Sequence, residues 1–183
     1  MTERTLVSQL QSREDGPVRV SGWVETVRDQ KKVQFVILRD ETGAVQLVNP
    51  ATRPDPEGAE QDAAALELTA LISELSTGTF LTVTGELKHD ERVKLGGVEI
   101  QIDEIAVVTK ALPENPVADD SNIDVRLDWR FLDLRRPEQN LVFRVQTTFL
   151  HALRQIWVDR GFIEIQTPKL MASASESRAE LFE

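Results

Sequence analysis

Val18-Arg19-Val20-Ser21-Gly22-Trp23-Val24 is the stretch from which the fold can be read. Val18, Val20 and Val24 alternate with Arg19, Ser21 and Trp23. A period of two sets successive side chains on opposite faces of a strand, so the segment predicts a half-buried β-strand. Downstream, Val33 to Asp40 is apolar on both faces, and Glu41-Thr42-Gly43 supplies a turn before a third strand over residues 44–48. Two further strands fit residues 80–88 and 98–108, joined by a polar hairpin containing Gly96-Gly97. Between the third and fourth strands, the segment from Pro50 to Gly78 opens rich in proline and acid. It then carries Leu68, Leu71, Ile72 and Leu75 at the i, i+3, i+4, i+7 spacing of one helix face. Three strands, a helix and two strands predict the five-stranded Greek-key barrel called the OB fold, a frequent binder of oligonucleotides. A small SH3-like barrel is the rival, and the position of the helix favours the OB fold.

Beyond the barrel, residues 109–122 hold Pro113, Pro116 and Asp119-Asp120 with little to bury, the composition of a linker. Arg126-Leu127-Asp128-Trp129-Arg130-Phe131-Leu132-Asp133-Leu134-Arg135-Arg136 mixes charges with two aromatic rings and predicts a short hinge helix. Pro137 suits a helix start, where its missing amide donor costs nothing, and Glu138 suits the positive end of the helix dipole. Leu141, Val145, Phe149, Ala152, Leu153, Ile156 and Trp157 form one broad apolar stripe that ends at Gly161, a C-cap residue. Such a helix needs a partner surface. Residues 162–165 then predict a short strand closed by Pro168, which can donate no ladder bond, and everything past Lys169 reads as loop.

A length of 183 residues admits one well-buried core and a second, incomplete one. No apolar run approaches the roughly 20 residues that span a bilayer. The Met1-Thr2-Glu3-Arg4-Thr5 start also lacks a secretion signal's pattern, so a cytoplasmic protein with no membrane partner is expected. With no cysteine, and with His89 and His151 isolated, neither a disulfide framework nor a zinc site is expected. No glycine-rich phosphate loop, nucleophile–histidine pair or HExxH spacing is present, and the pairs Asp119-Asp120 and Asp90-Glu91 read as solvated charge. The net charge of −10 opposes nonspecific nucleic-acid binding, which leaves a basic footprint. Up to Lys110 there are 12 basic against 19 acidic residues, and after it 9 against 12, so neither half is basic. A reader of specific unpaired bases can still work from a few placed arginines and stacking rings.

Three local sequences together resemble the aspartyl-tRNA synthetase family, in the branch shared by archaea, eukaryotes and some bacteria. Gly22-Trp23-Val24, Phe35-Val36-Ile37-Leu38-Arg39-Asp40 and Gly43-Ala44-Val45-Gln46 are similar to its anticodon-binding barrel. Leu132-Asp133-Leu134-Arg135-Arg136-Pro137-Glu138 is closer to aspartyl than to lysyl or asparaginyl hinges. Thr167-Pro168-Lys169 and Ser175-Glu176-Ser177-Arg178-Ala179-Glu180-Leu181-Phe182 resemble motif 1 and its downstream loop, with Ser177-Arg178 where much of the family has small residues. Motifs 2 and 3 do not appear.

The resemblance implies an OB-fold anticodon-binding domain over residues 1–108, a linker and hinge over 109–136, and the start of a class II catalytic domain over 137–183. It implies an aspartate–tRNA ligase that joins L-aspartate to tRNA through aspartyl-adenylate, with ATP and Mg2+ used by the complete enzyme and none bound by this segment, which by itself would be inactive. The tRNA would be that for aspartate, or those for aspartate and asparagine, and the assembly a homodimer. Phe35 is then a base-stacking ring, against the plain reading that Phe35 beside Val33 and Ile37 is barrel core; Trp23 reads as structural. Gln46 offers an amide to a base edge, against a solvated strand face. Arg28 would hold a base edge or phosphate, against a lone surface arginine, and Glu86 would read a base, against a polar strand residue. Glu176 would accept hydrogen bonds from the aspartate ammonium group, against a solvated loop carboxylate, and Pro168 would lie in the dimer interface, against ordinary packing. No catalytic residue and no metal ligand is expected within the chain. The competing readings are a free-standing OB-fold RNA-binding module, a truncated synthetase paralogue, and an asparaginyl or lysyl enzyme.

Overall fold

The computed structural model describes residues 3–53, 62–112, 115–118 and 120–167, and divides into two compact units, residues 1–115 and 116–183. In the first unit a helical turn, α1 (Val7–Leu10), precedes β1 (Gly16–Asp29), β2 (Val33–Arg39) and β3 (Ala44–Pro50). Helix α2 (Ala63–Ser73) leads to β4 (Phe80–His89) and β5 (Val98–Thr109). The strands close in the order β1-β2-β3-β5-β4, antiparallel except for the parallel β3–β5 seam. This is the OB-fold topology.

Alternation places Val18, Val20, Val24, Val36, Leu38, Val45, Leu47, Leu81, Val83, Leu87, Ile100 and Ile102 inside, where α1 and α2 add Val7, Leu10 and Ile72. The period of two in β1 breaks at a bulge between Val24 and Thr26, where Glu25 is left over in the pairing with β2. Val27, an odd position, now packs against the core, and Thr26 and Arg28 point outward. The bulge also lets one long strand pair with β4 over residues 16–23 and with β2 over residues 23–29. A second irregularity, opposite Thr84 and Gly85, shifts the inward phase of β5 from Ile102 to Ile105 and Val107.

Gln34 points inward on β2 and is wholly buried, with a full set of partners. Its Nε2 donates to the Thr69 carbonyl and to Ser73 Oγ, each at 3.0 Å, and its Oε1 accepts from Asn49 Nδ2 at 2.9 Å. Ser73 Oγ donates onward to Asp29 at 2.7 Å. This network fastens α2 to β2 and β3. Replacing Gln34 with leucine strands the Asn49 amide and should destabilise the barrel by about 1–3 kcal/mol, read as a lowered thermal midpoint. An unchanged midpoint would show that the network does not hold the helix.

Helix α2 begins at Asp62, whose carboxylate accepts from the Ala64 amide at 3.0 Å, and it stops at Ser73. The apolar stripe expected on one helix face therefore outruns the helix: Leu75 still packs on the core, but from the turn that follows. Asp40 organises the β2–β3 turn. Its oxygens accept from the Val7, Thr42 and Gly43 amides and from the Thr42 hydroxyl, at 2.7–3.0 Å. Burial alone would raise the Asp40 carboxyl; the donated bonds outweigh it and leave it below the ordinary value.

In the second unit the hinge is two short helices, α3 (Ile123–Asp128) and α4 (Arg130–Asp133), interrupted at Trp129. Asp133 is fully buried and gathers Arg130 at 2.9 Å, Arg126 at 3.1 Å and Arg136 at 3.7 Å. Arg130 also lies over the Phe143 ring, 5.6 Å from its centroid. The hinge charges are therefore turned inward on one carboxylate, and the preceding linker buries Val117. Helix α5 (Pro137–Asp159) runs as the stripe predicts and ends in a Schellman motif. The Gly161 amide bonds the Val158 carbonyl, the Phe162 amide bonds the Trp157 carbonyl, and the two rings meet edge-on at 4.9 Å. Residues 162–165 are not a strand: among the described residues no neighbour pairs with them, and strand character requires a ladder.

Candidate nucleic-acid interface

The outer face of the barrel is set by strand register. Across the strands, Arg28 pairs with Phe35, Phe35 with Val48, Val48 with Gln101 and Gln101 with Glu86. The next row runs Thr26, Ile37, Gln46, Glu99 and Lys88. Directly paired residues share a face, so Arg28, Phe35, Gln46 and Glu86 all stand on one surface. Phe35 is half-buried there, while Gln34, Val36 and Leu38 fill the interior, so Phe35 is not barrel core. The apolar outer side of β2, made of Val33, Phe35 and Ile37, is thus a surface feature of the kind that offers rings and aliphatic chains to unstacked bases. Trp23 instead packs edge-on against Phe80 at 5.0 Å, a structural contact.

Two loops bracket this face. The β1–β2 turn lies beyond the Arg28 row and carries exposed Lys31 and Lys32; the β4–β5 loop lies beyond the Lys88 row and carries exposed Arg92 and Lys94. The β1–β2 turn thus places two lysines at one of the two loops that OB folds use with oligonucleotides, while the β4–β5 loop balances Arg92 and Lys94 against Asp90 and Glu91.

The β4–β5 loop is tied down at both ends. Gln11 Nε2 donates to the Gly96 carbonyl at 3.0 Å. His89 Nδ1 meets Asp15 Oδ1 at 2.5 Å, and its Nε2 faces the Gln11 carbonyl. The bond to Asp15 raises the His89 pKa, and the same bond lowers that of Asp15. Asp90 is not the solvated charge expected: Arg92 donates to it through Nη2 at 2.6 Å and through its backbone amide, holding the carboxyl down to about 2. Asp120, of the other pair, is exposed, and Asp119 lies outside the described residues.

The His89 contact predicts a pH dependence. A raised folded pKa means that its stabilisation is complete below the unfolded value of about 6.5 and fades as pH rises through the folded value. Asp15, with a lowered pKa, acts oppositely and loses its part only in acid, as pH falls through its folded value. The thermal midpoint should therefore decline, relative to a His89→Gln variant, as pH rises above about 6.5 and through the folded value. Parallel curves for the two proteins would contradict the contact.

Gln101, Lys88, Glu99 and Val48 stand on the face without having been singled out from sequence. The available signal was the alternation of Glu99 and Gln101 with Val98, Ile100 and Ile102, but only the parallel seam sets them beside Gln46. Pro168 and Glu176 lie outside the described residues. No helix among the described residues is long and apolar enough to cross a membrane, and none of their carboxylates and histidines cluster in threes as a metal site would need.

Residues 18–108 match the family model of the OB-fold nucleic acid binding domain, and residues 122–183 that of class II tRNA synthetases (D, K and N). The aspartate–tRNA(Asp/Asn) ligase of Methanopyrus kandleri is 37% identical over 174 residues, 93% of this chain and 38% of that protein. The chain is a homologue of aspartate–tRNA ligases over their amino-terminal part. The aspartate–tRNA(Asp) ligase of Thermococcus kodakarensis is likewise 37% identical over 169 residues, 90% of this chain and 36% of the relative. The chain thus spans less than two fifths of the aspartate–tRNA ligases it matches. Among solved structures, asparaginyl-tRNA synthetase from Pyrococcus horikoshii complexed with asparaginyl-adenylate matches with a TM-score of 0.81 at 27% identity, covering 100% of this chain and 40% of that one. A putative aspartyl-tRNA synthetase from Leishmania major Friedlin gives 0.79 at 26% identity, covering 99% and 37%. This aspartate–tRNA ligase homologue therefore has a backbone also found in an asparaginyl enzyme, while the two relatives matched at 37% identity are aspartate ligases.

Proposed function

We propose that this chain is the anticodon-reading part, and the beginning of the catalytic domain, of an enzyme that attaches L-aspartate to tRNA. The observation that carries the reading is the register that sets Arg28, Phe35, Gln46 and Glu86 on one barrel face between the β1–β2 and β4–β5 loops. In this reading Phe35 stacks on an unpaired base, Gln46 and Glu86 meet base edges, and Arg28 holds a base edge or phosphate. Residues 1–108 form the anticodon-binding domain, 109–136 the linker and hinge, and 137–183 the start of the catalytic domain.

Glu176 orients the aspartate ammonium group in this reading, and Pro168 with helix α5 forms the interface of a cytoplasmic homodimer. The exposed stripe of Leu141, Val145, Phe149, Leu153, Ile156 and Trp157 supports a further packing partner for the helix. ATP and Mg2+ belong to the complete enzyme. Among the described residues there is no metal donor set.

The test is titration of the 183-residue chain with anticodon hairpins of the aspartate, asparagine and lysine tRNAs. Binding should be tightest to aspartate, or equal for aspartate and asparagine, and weakest for lysine. Equal affinity for all three would leave a generic RNA-binding module and sink the reading.

A further inference from the structure

The β1–β2 turn is held from behind. Asp29, the last residue of β1, pairs with Gln34, so it lies on the inner side of the sheet at the end of the barrel, opposite the face that carries Arg28 and Phe35. Its carboxylate accepts from Ser73 Oγ of α2 at 2.7 Å and is ion-paired with Arg53, which follows β3. Ser73 has one proton and two acceptors in reach, Asp29 and the Thr69 carbonyl at 2.9 Å, and the charged acceptor makes the stronger bond. The Ser73 hydroxyl first, then Gln34 and Arg53, outweigh desolvation and hold the Asp29 carboxyl below its ordinary value. Arg53 Nη2 also donates to the Gln30 carbonyl at 3.3 Å, and the Ala51 amide donates to the Lys32 carbonyl at 3.0 Å. The residues on either side of Lys31 are thus pinned by the chain that leaves β3.

The turn itself carries Lys31 and Lys32, both exposed and, among the described residues, without a carboxylate partner. Residues 28–32 hold three cations, Arg28, Lys31 and Lys32, against one carboxylate, and Arg53 occupies that carboxylate on the inner side. We propose that Asp29 and Arg53 are positioning residues for RNA binding: with Ser73 they tie the β1–β2 turn to α2 and to the end of β3, and so present Lys31 and Lys32 to the phosphate backbone of the strand whose bases lie on the barrel face. Ammonium groups on a fixed turn lose less freedom on binding than those on a loose one, and their contact with phosphate carries no base preference. The inference rests on the anticodon-reading proposal and deepens it by assigning one end of the face to the RNA backbone.

The experiment measures binding of the aspartate anticodon hairpin to the 183-residue chain and to Asp29→Asn, each with and without the double substitution Lys31→Ala, Lys32→Ala. Asp29→Asn keeps the side chain's shape and removes a negative charge, so simple attraction between protein and RNA would make it bind more tightly. As a severed brace it should instead bind more weakly, by roughly threefold to tenfold, and that loss should vanish once the two lysines are gone. The lysine variant should also flatten the dependence of affinity on salt, by about one phosphate contact per lysine. Asp29→Asn should flatten it in the same direction, which a general loss of stability would not do. Should Asp29→Asn fail to fold by circular dichroism, Arg53→Met cuts the same tie from the other side and decides by the same comparisons. Unchanged or tighter binding by Asp29→Asn overturns the inference, as does an equal loss with and without the lysines. Loss of binding in Phe35→Ala alongside either of those results would leave the anticodon reading standing, whereas unaltered binding in Phe35→Ala would remove the reading itself.

Discussion

Phe35→Ala should weaken binding of the aspartate anticodon hairpin by about 1–3 kcal/mol, or roughly 5- to 150-fold, while leaving the barrel folded. The two halves of that expectation have separate causes. Binding falls because a base stacked on the ring loses its platform. Folding persists because the ring is on the outer side of β2, and the interior beneath it is filled by Gln34, Val36 and Leu38. What the fold loses is the cross-strand contact of Phe35 with Arg28 and Val48, worth about 0.2–1 kcal/mol in pairs of this kind. Phe35→Trp should retain most of the affinity and Phe35→Leu should not, since leucine keeps apolar area but offers no flat face. Fluorescence anisotropy of a labelled hairpin measures the affinity and thermal melting the fold. Undiminished affinity in the alanine variant would take the ring out of the interface.

Gly85→Ala should cost the barrel about 3 kcal/mol or more, the largest loss of stability expected from any single methyl group added here. A Cβ at Gly85 would lie 2.1 Å from the Gln101 carbonyl oxygen and 3.0 Å from the Ile100 side chain. The obstruction is backbone, so no side-chain rotation relieves it and β5 must move. Gly22 is in similar straits, 2.4 Å from the Arg39 carbonyl oxygen, which explains a glycine inside a strand. Gly97→Ala is the comparison. It meets no atom within 4 Å but has a φ of +68°, so its cost is conformational, about 1–2 kcal/mol. If Gly85→Ala and Gly97→Ala melt together, the close approach of β4 and β5 is not as tight as the distances indicate.

The opposite treatment of polar side chains inside and outside the barrel explains how an acidic chain can carry a selective face. Interior amides such as Gln34 and Asn49 satisfy each other and are silent toward ligands. Exterior amides such as Gln46 and Gln101 commit one half to a charged neighbour and keep the other half available. Composition counts all four alike. The lysines and arginines bracketing the face are few, which limits nonspecific attraction to phosphate and leaves discrimination to stacking and base edges.

Much of this organisation is written in local sequence. Alternation along Val18 to Val24 and Val98 to Ile102 announces strands, because a pleated backbone sends neighbours to opposite sides. Pro137 marks a helix start and Gly161 a helix end, because only particular residues satisfy or tolerate the backbone there. Those effects act within a few residues and can be read one segment at a time. The makeup of the binding face could not be. Continued without interruption, the phase of Val18, Val20 and Val24 would send Arg28 into the core; the bulge at Glu25 turns it out beside Phe35. Likewise nothing in the neighbourhood of Gln46 announces Glu99, which reaches it only through a parallel pairing across 53 positions. Bulge position and strand partnership are settled by closing the barrel as a whole, since every strand must bury one face and find two neighbours at once, and no single segment carries that condition.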